Sequence, residues 1–377
     1  MKVGVLAYEM EGERTGVGRY LEGLLSGLAE HDAPHRWHLF FKGDPFDHPL
    51  WDGDGDRFVP VFDGRPGARP ILWEQTRLPR LIRRAGLDFL FSPAYSLPRG
   101  FRGPSMLVVH DLSFERLPEE FDLKERWRRR LLARRSAHRA SRVLADTGAV
   151  ARELAATYSL PAHKIGVVPL GIDPRVLGEP ADDARQLARV GVEPPYLLYL
   201  GSILPRRRVD LVIGAFARVA ARRPGLRLVL AGGNRLRRRR ELDRWIAESG
   251  CGERIVRVGY VAEEALGALY RGAELTFYLS EYEGYGLPPL ESLAAGTPAL
   301  VGPGLALDEL WPDYPYRVPR LEIDAVADVT LGALDGADAR RRIGDEGRER
   351  MARLTWKCSA EHFLAEMERA VADSRDA

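Results

Sequence analysis

Cysteine and long apolar runs are scarce in this chain. Only Cys251 and Cys358 occur among its 377 residues, too few for a disulfide framework or a structural zinc site. No run of about twenty apolar residues is present, so no segment reaches the length of a membrane-spanning helix. The apolar start at residues 1–8 is too short for a signal peptide and predicts a first buried strand. These absences favour an intracellular protein, and the expected location is the cytoplasm.

Lysine is also rare, because arginine supplies 51 of the 56 basic residues. No lysine occurs between residues 165 and 356. Enzymes that bind pyridoxal phosphate hold it as a Schiff base on a lysine. The stretch 165–356 therefore has no residue for that cofactor. The basic residues are nearly balanced by 54 acidic ones, and no nucleic-acid-binding module is recognisable, so no nucleic-acid partner is expected.

The pattern that is present is α/β. A length of 377 residues exceeds what one core usually supports, so two domains are expected. Short apolar runs alternate with amphipathic stretches, as in doubly wound α/β domains, and the pattern starts again at residue 196. Strands are predicted at 2–8, 38–41, 88–91, 105–110, 142–146, 196–200, 226–231, 254–258, 275–278 and 299–301, and residues 165–173 are predicted to form a strand that leads into a turn. Helices are predicted at 18–29, 77–85, 124–140, 148–158 and 359–371, and residues 174–195 are predicted to connect the domains.

Residues 280–298, SEYEGYGLPPLESLAAGTP, carry the strongest functional signal. Glu283 and Glu291 have seven residues between them. The bend Gly284-Tyr285-Gly286 follows the first glutamate, and its glycines allow backbone angles and close approaches that side chains forbid. A strand–loop–helix turn with solvated glutamates is the alternative interpretation of this segment.

A helix is predicted to begin at Pro288, because proline suits the first helical position. Glu291 then lies in the first turn, and Glu283 stays in the preceding loop. The amides of Gly286 and Leu287 point at whatever anion occupies the helix N-terminus. An anion cradle beside two carboxylates that can accept from hydroxyl groups suits a nucleotide-diphosphate sugar.

This segment resembles the donor-site motif of the retaining glycosyltransferases of the GT-B fold, specifically glycosyltransferase family 4. The family pattern reads S-x-x-E-G-F-G-L-P-x-x-E-A-x-A-x-G-x-P, from which Tyr285 and Ser292 are mild departures. Other matching segments follow in order along nearly the whole chain. They are Gly16-Val17-Gly18-Arg19-Tyr20, Trp73-Glu74-Gln75, His110-Asp111-Leu112, Val168-Pro169-Leu170-Gly171-Ile172-Asp173, Gly201-Ser202 and Pro205-Arg206-Arg207.

The resemblance implies two Rossmann-like, doubly wound domains that face each other across a cleft. Residues 1–178 would form the acceptor-binding domain, and the helix 357–377 would pack back on it. Residues 190–356 would bind the nucleotide-sugar donor. A sugar phosphorylase of related fold is excluded because residues 165–356 lack the required lysine.

The resemblance also implies roles for donor-site residues. Glu283 would hold sugar hydroxyls and Glu291 the ribose. Arg206 or Arg207 takes the place of a family lysine and would stabilise the departing diphosphate, because a guanidinium keeps the charge and can bind phosphate bidentately. The remaining donor-binding residues would be Gly201, Ser202, Gly284, Tyr285, Gly286 and Leu287.

Two further candidates lie in the N-terminal half. His110 ends an apolar strand, where ligands bind in open α/β sheets, although a histidine satisfied by local hydrogen bonds fits the sequence equally well. The resemblance places His110 beside the reacting sugar. Gly16 and Gly18 could form a plain tight turn, but the resemblance implies contact with the donor diphosphate. Leu21 stands where a nicotinamide dinucleotide fingerprint requires a third glycine.

The implied reaction is the retaining, metal-independent transfer of a hexose, glucose or mannose, from a UDP- or GDP-linked donor. The acceptor would be a hydroxyl of a growing glycan, glycolipid or surface polysaccharide, and no cofactor is expected. A nucleotide-sugar 2-epimerase of the same fold is one alternative, but it lacks the E-x7-E segment. A non-catalytic sugar-nucleotide sensor is another, against which the intact Glu283, Glu291, His110 and Gly18 argue.

Two charged segments remain. The loop Asp52-Gly53-Asp54-Gly55-Asp56 looks like a metal site, but Arg57 stands where an EF-hand requires glycine, so a solvated turn without metal is predicted. Arginine clusters occur from Arg126 to Arg142 and from Arg235 to Arg240. Such runs are usually solvated helix faces. An anionic membrane or lipid-phosphate acceptor would be attracted to the first cluster, which would place the protein peripherally at the inner membrane face.

Overall fold

Two parallel β-sheets organise the chain. The computed structural model describes residues 1–12, 16–51, 57–173, 176, 180–304 and 306–374. The strands are β1 (Lys2–Leu6), β2 (Arg36–Phe41), β3 (Phe58–Phe62), β4 (Phe89–Ser92), β5 (Ser105–Val109), β6 (Arg142–Ala145), β7 (Ile165–Val167), β8 (Tyr196–Leu200), β9 (Arg227–Ala231), β10 (Ile255–Gly259), β11 (Ala273–Tyr278) and β12 (Ala299–Val301). The first sheet has the order β3-β2-β1-β4-β5-β6-β7, and the second has the order β10-β9-β8-β11-β12.

Helices connect most of the successive strands in both sheets. They are α1 (Gly16–Ala29), α2 (Pro70–Thr76), α3 (Leu78–Ala85), α4 (Ser113–Arg116), α5 (Leu123–Arg139), α6 (Gly148–Tyr158), α7 (Asp183–Val190), α8 (Val209–Arg222), α9 (Arg240–Glu248), α10 (Glu263–Arg271), α11 (Leu287–Ala294), α12 (Ala306–Leu310), α13 (Ile323–Asp335), α14 (Ala337–Met351) and α15 (Trp356–Asp373). The predicted doubly wound α/β architecture is therefore confirmed.

The strand order places a switch point in each sheet. In the first sheet the direction of strand addition reverses between β1 and β4, and in the second between β8 and β11. Their inner strands are almost fully buried, which explains the continuous apolar runs in the sequence. In open α/β sheets, ligands bind at the carboxyl ends of the strands around such a switch point. The segments that follow the switch-point strands, those after β8 and β11 among them, are therefore candidates for a binding site.

Strand β3 was not predicted from the sequence. Pro60 stands at its centre, and a proline inside an apolar run argues against a strand because it has no N–H for the ladder. Among the described residues β3 pairs with β2 alone, so β3 is the edge of its sheet. An edge strand tolerates proline because one of its sides has no ladder partner.

The chain divides into two units, Met1–Gly171 with Thr355–Ala377, and Ile172–Leu354. Within the first unit α15 packs on α1. The Thr355 hydroxyl caps α15 by accepting from the Cys358 amide at 3.1 Å. A Cβ at Gly27 would lie 2.1 Å from the Trp356 carbonyl oxygen, and one at Gly171 would lie 2.4 Å from its amide nitrogen. These glycines allow the terminal helix to approach closely. The division expected at residue 178 lies outside the described residues.

The segment expected to connect the domains is in part a helix. Its described residues include α7, which packs against α10 within the second unit. Arg271 of α10 donates to both carboxylate oxygens of Asp183 at 2.8 and 2.6 Å. The prediction of an interdomain connection over 174–195 was wrong for this stretch, because α7 belongs to the second unit. The high Pro, Gly and Asp content obscured the short amphipathic run from Asp183 to Val190.

Candidate functional site

A basic turn follows β8 in the second unit. Pro205–Arg207 form a single 3-10 turn, and Arg208, with a φ of 45°, precedes α8. Gly201 has a φ of 138°, and a Cβ at this position would lie 2.8 Å from Nη1 of Arg207. Glycine therefore allows both the backbone angle and the position of the guanidinium.

Arg207 and Glu283 form a buried ion pair. Nε of Arg207 donates to Oε1 of Glu283 at 2.8 Å, and Nη1 donates to the Ser202 carbonyl at 3.2 Å. The guanidinium carbon lies 5.4 Å from the ring centroid of Tyr278, a cation–π distance. The two side chains are only 16% and 8% exposed. The pair lies between the carboxyl ends of β8 and β11, at the switch point of the second sheet.

The charges of this pair stabilise each other. Burial acts to raise the pKa of Glu283, but attraction to Arg207 and Arg206 and hydrogen bonds from Arg207 and Ser280 outweigh it, so this pKa lies below its usual range. Burial acts to lower the pKa of Arg207, but Tyr278 and Glu283 raise this pKa well above its usual value. Glu283 is therefore a carboxylate and Arg207 a cation at neutral pH.

The other two arginines of the run have different surroundings. Nε of Arg206 lies 3.8 Å from Oε1 of Glu283, and the Arg206 carbonyl accepts from the Glu281 amide at 2.8 Å. Arg208 donates to both oxygens of Asp210 at 3.1 and 3.0 Å and to Glu281 at 2.7 Å. The guanidinium of Arg208 is thus engaged by carboxylates beside α8. Arg206 and Arg207 remain the candidates for contact with a diphosphate.

Helix α11 begins at Leu287, one residue earlier than predicted. Gly286 precedes it in the left-handed region, with a φ of 80° and a ψ of 65°, and this conformation determines where the helix starts. Pro288 is consequently the second helical residue, and Glu291 is the fifth, just beyond the first turn. The first amides of α11 have no intrahelical carbonyl to bond, which makes this end suitable for an anion.

Glu291 is almost completely buried, with 1% of its surface exposed. Its Oε2 accepts from the Tyr270 hydroxyl at 2.7 Å. The Tyr270 carbonyl in turn accepts from the Thr297 hydroxyl at 2.7 Å. These contacts orient the carboxylate that the sequence assigned to the ribose. Sequence reasoning missed Tyr270, because nothing in an amphipathic helix 21 residues upstream signals this contact.

His110 follows β5 in the first unit. Its Nδ1 lies 2.8 Å from Oδ2 of Asp146, and its Nε2 lies 3.0 Å from the Pro93 carbonyl oxygen. Tyr20 contacts the imidazole edge-on at 4.7 Å between centroids. Asp146 directly follows β6, the neighbour of β5, and this position at a strand end was the signal that could have identified it.

Both ring nitrogens of His110 face acceptors, which favours the doubly protonated imidazolium. Burial acts to lower the pKa of His110, but the charge of Asp146, its hydrogen bond and that of the Pro93 carbonyl together raise this pKa above its usual range. A raised folded-state pKa means that the folded protein binds the proton more tightly than the unfolded chain. The resulting stabilisation is complete below the unfolded-state pKa of about 6.5 and is lost as the pH rises through the folded-state pKa.

We expect Asp146→Asn to lower the pKa of His110, because it removes the carboxylate that opposes desolvation. NMR titration of the imidazole should show a midpoint above about 6.5 in the wild type and a lower one in the variant. The free energy of unfolding should lose part of its dependence on pH across the same interval. Equal midpoints in the two proteins would contradict the assigned role of Asp146.

Gly16 and Gly18 lie at the start of α1, so the predicted helix opening after the first strand is confirmed. Residues 13–15, which precede it, lie outside the described residues. A Cβ at Gly16 would meet no atom within 4 Å, and Gly18 is buried within the helix. Contact of either glycine with a diphosphate stays a prediction.

The predicted solvated turn at Asp52–Asp56 lies outside the described residues. Within the described part of the chain, no group of three or more His, Cys, Asp or Glu side chains is arranged to hold a metal ion. None of the helices there combines the length and apolar character required to cross a bilayer.

Two family profiles match consecutive parts of the sequence. Glycosyltransferase Family 4 matches residues 14–176, and Glycosyl transferases group 1 matches residues 182–350. Mannosylfructose-phosphate synthase from Agrobacterium fabrum is 33% identical over 48% of this chain and 41% of its own length. O-antigen chain mannosyltransferase B from Escherichia coli is 27% identical over 91% of this chain and 93% of its own. The match spans only about two fifths of the length of the first of these curated relatives.

Solved structures share the fold over nearly the whole chain. Sucrose-phosphate synthase from Thermosynechococcus elongatus has a TM-score of 0.77 at 20% identity, covering 99% of this chain and 100% of that one. The Anabaena protein HepE in complex with UDP-glucose has a TM-score of 0.75 at 16% identity, covering 98% and 99%. At these identities the likeness establishes the fold alone, and it confirms the predicted GT-B class.

Proposed function

Because this chain belongs to glycosyltransferase family 4, we propose that it transfers a hexosyl group from a nucleotide-diphosphate sugar to a hydroxyl acceptor. The observation that carries the proposal is the buried Arg207–Glu283 pair at the switch point of the second sheet. Arg207 is a cation that can bind a diphosphate, and Glu283 is a carboxylate that can accept hydrogen bonds from sugar hydroxyls. Both lie at the edge where open α/β sheets bind ligands. The N-terminus of α11 follows the same loop.

The donor we propose is UDP- or GDP-linked glucose or mannose, bound by the second unit. The diphosphate would contact Arg207 or Arg206 and the first amides of α11. Glu283 would accept from sugar hydroxyls and Glu291 from the ribose. The names of the relatives support a hexosyl donor, since they include a mannosyltransferase, and the similarly folded HepE was solved with UDP-glucose.

Transfer would proceed with retention. The bond between the anomeric carbon and the diphosphate oxygen breaks, and a bond to the acceptor oxygen forms on the same face of the sugar. The acceptor proton passes to an oxygen of the β-phosphate. The protein positions the two substrates and supplies no nucleophile. The arginines and the backbone amides stabilise the negative charge that builds on the leaving diphosphate.

The ion pair has a consequence for donor binding. In the structure the Glu283 carboxylate accepts from Arg207 at 2.8 Å. A diphosphate offers this guanidinium a stronger anionic partner, so donor binding would draw Arg207 toward the phosphates. Oε1 of Glu283 would then be available to a sugar hydroxyl. Recognition of the diphosphate and of the sugar would thereby be coupled.

The acceptor we propose is a hydroxyl of a growing glycan, glycolipid or surface polysaccharide. A thermal-shift panel of UDP- and GDP-sugars tests the donor, because a ligand at a hundred times its Kd adds about 2.7 kcal/mol of stability. Product analysis with and without a glycan acceptor then tests the transfer. Release of a 2-epimer without acceptor would identify an epimerase, and binding without any turnover would identify a sensor.

We expect activity to survive chelation, because arginine side chains and backbone amides would neutralise the diphosphate charge without a metal ion. The proposed reaction uses no other cofactor. Turnover should be equal before and after treatment with EDTA. Loss of activity that Mn²⁺ or Mg²⁺ restores would refute metal independence and would make Asp52–Asp56 a candidate metal site.

A further inference from the structure

Helix α5 in the first unit exposes an apolar stripe. Leu123, Trp127 and Leu131 are 70%, 67% and 50% exposed. They are four residues apart, and since an α-helix has 3.6 residues per turn, they share one face. The buried residues on the side that packs toward the first sheet are Ala133, Ser136 and Ala137. The stripe therefore points away from the hydrophobic core.

The same helix is strongly basic. Its seventeen residues include eight lysines and arginines and a single acidic residue, Glu125. Glu125 already accepts from Arg129 at 2.6 Å. Exposed basic residues flank the apolar stripe, and they are Lys124, Arg128, Arg134 and Arg135. Any partner that covers the stripe must therefore also accommodate a dense positive charge.

We infer that α5 docks on an anionic lipid bilayer, with Leu123, Trp127 and Leu131 inserted among the headgroups. Interfacial helices combine an apolar face that carries Trp and Leu with a flank of Lys and Arg. Tryptophan favours the boundary between the headgroups and the acyl chains, and each nearby cation is attracted to anionic lipid. Nucleic acid would bind the basic residues, but its phosphate backbone would not bury the three exposed apolar side chains. The inference concerns the first unit and does not depend on the proposed reaction.

Sedimentation of the full chain with lipid vesicles tests the inference. We expect binding to vesicles of equal parts phosphatidylcholine and phosphatidylglycerol, little binding to phosphatidylcholine alone, and weakening by salt. The double change Arg134→Glu and Arg135→Glu should lower the partition coefficient at least about 25-fold, since each lost cation costs about fivefold. The matched control is Arg238→Glu with Arg239→Glu in the other arginine cluster, which should bind like the wild type.

Fluorescence tests insertion of the stripe separately from charge. Brominated lipids should quench tryptophan emission of the wild type, and Trp127→Phe should remove most of this quenching while the variant still binds. Replacing Leu123, Trp127 and Leu131 together by alanine should abolish stable binding, because all three side chains are exposed and their loss leaves the core intact. Tyr260→Ala, an equally exposed apolar change in the second unit, is the control and should bind normally.

Three results would overturn the inference. The first is no sedimentation with the anionic vesicles, whether or not the chain binds RNA. The second is an equal loss of binding in the control pair at Arg238 and Arg239, which would show general attraction to a basic protein. The third is vesicle binding with unchanged quenching in Trp127→Phe, which would place another surface in the membrane.

Discussion

Arg207→Ala is expected to lower kcat about a hundredfold to a thousandfold and to weaken ground-state binding of the sugar nucleotide much less. The reason is that a cation on the diphosphate contributes most as negative charge builds on the leaving group, and removal of one preorganised donor of this kind typically costs this much. Arg207→Lys should retain part of the activity, since the charge persists while the forked geometry is lost. Steady-state kinetics with saturating acceptor measures both variants.

Because Arg207 is paired with Glu283, the loss of activity must be separated from a loss of folding stability. Removing one partner of a buried ion pair can cost about 3–5 kcal/mol of folding free energy, because the other charge is left uncompensated. Arg207→Met combined with Glu283→Gln should recover stability in thermal unfolding but not turnover. Arg208→Ala is the matched arginine control and should keep wild-type kcat, since Asp210 and Glu281 hold that side chain. Wild-type turnover in both Arg206→Ala and Arg207→Ala would remove this basic turn from the mechanism.

Glu291→Ala is expected to weaken binding of the nucleotide diphosphate by about 1.5–3 kcal/mol, because a ribose hydroxyl loses a charged acceptor. That loss corresponds to about tenfold to 150-fold in Kd, which calorimetry resolves. The structure adds that the change also leaves the buried Tyr270 hydroxyl without its carboxylate. Some loss of stability should therefore accompany the loss of affinity.

Tyr270→Phe separates the two effects. In the double variant with Glu291→Ala, the tyrosine hydroxyl that has lost its carboxylate is also removed. The free energy of unfolding should therefore partly recover, while the affinity for the nucleotide diphosphate stays low. Alone, Tyr270→Phe should reduce affinity less than Glu291→Ala, because the carboxylate remains but loses its orientation. Unchanged affinity for the nucleotide diphosphate in Glu291→Ala would exclude Glu291 from the donor site.

Much of the architecture was accessible from the sequence because the relevant signals are local. Apolar runs bounded by turns predicted most strands within a few residues, since burial on both faces of a parallel sheet requires continuous apolar sequence. The exceptions have physical causes. Strand β3 contains Pro60, which only its edge position tolerates, and α7 lies in a segment whose composition suggested a connection.

The sequence by itself determined the GT-B class, the glycosyltransferase family and the residue types of the motif at residues 280–298. Only the tertiary structure decided which charges meet. Arg207 and Glu283 are 76 residues apart and become partners because β8 and β11 are neighbours in the sheet. His110 and Asp146 meet for the same reason at β5 and β6. The outward stripe of α5 also required the structure, since periodicity shows which residues share a face but not which face the core covers.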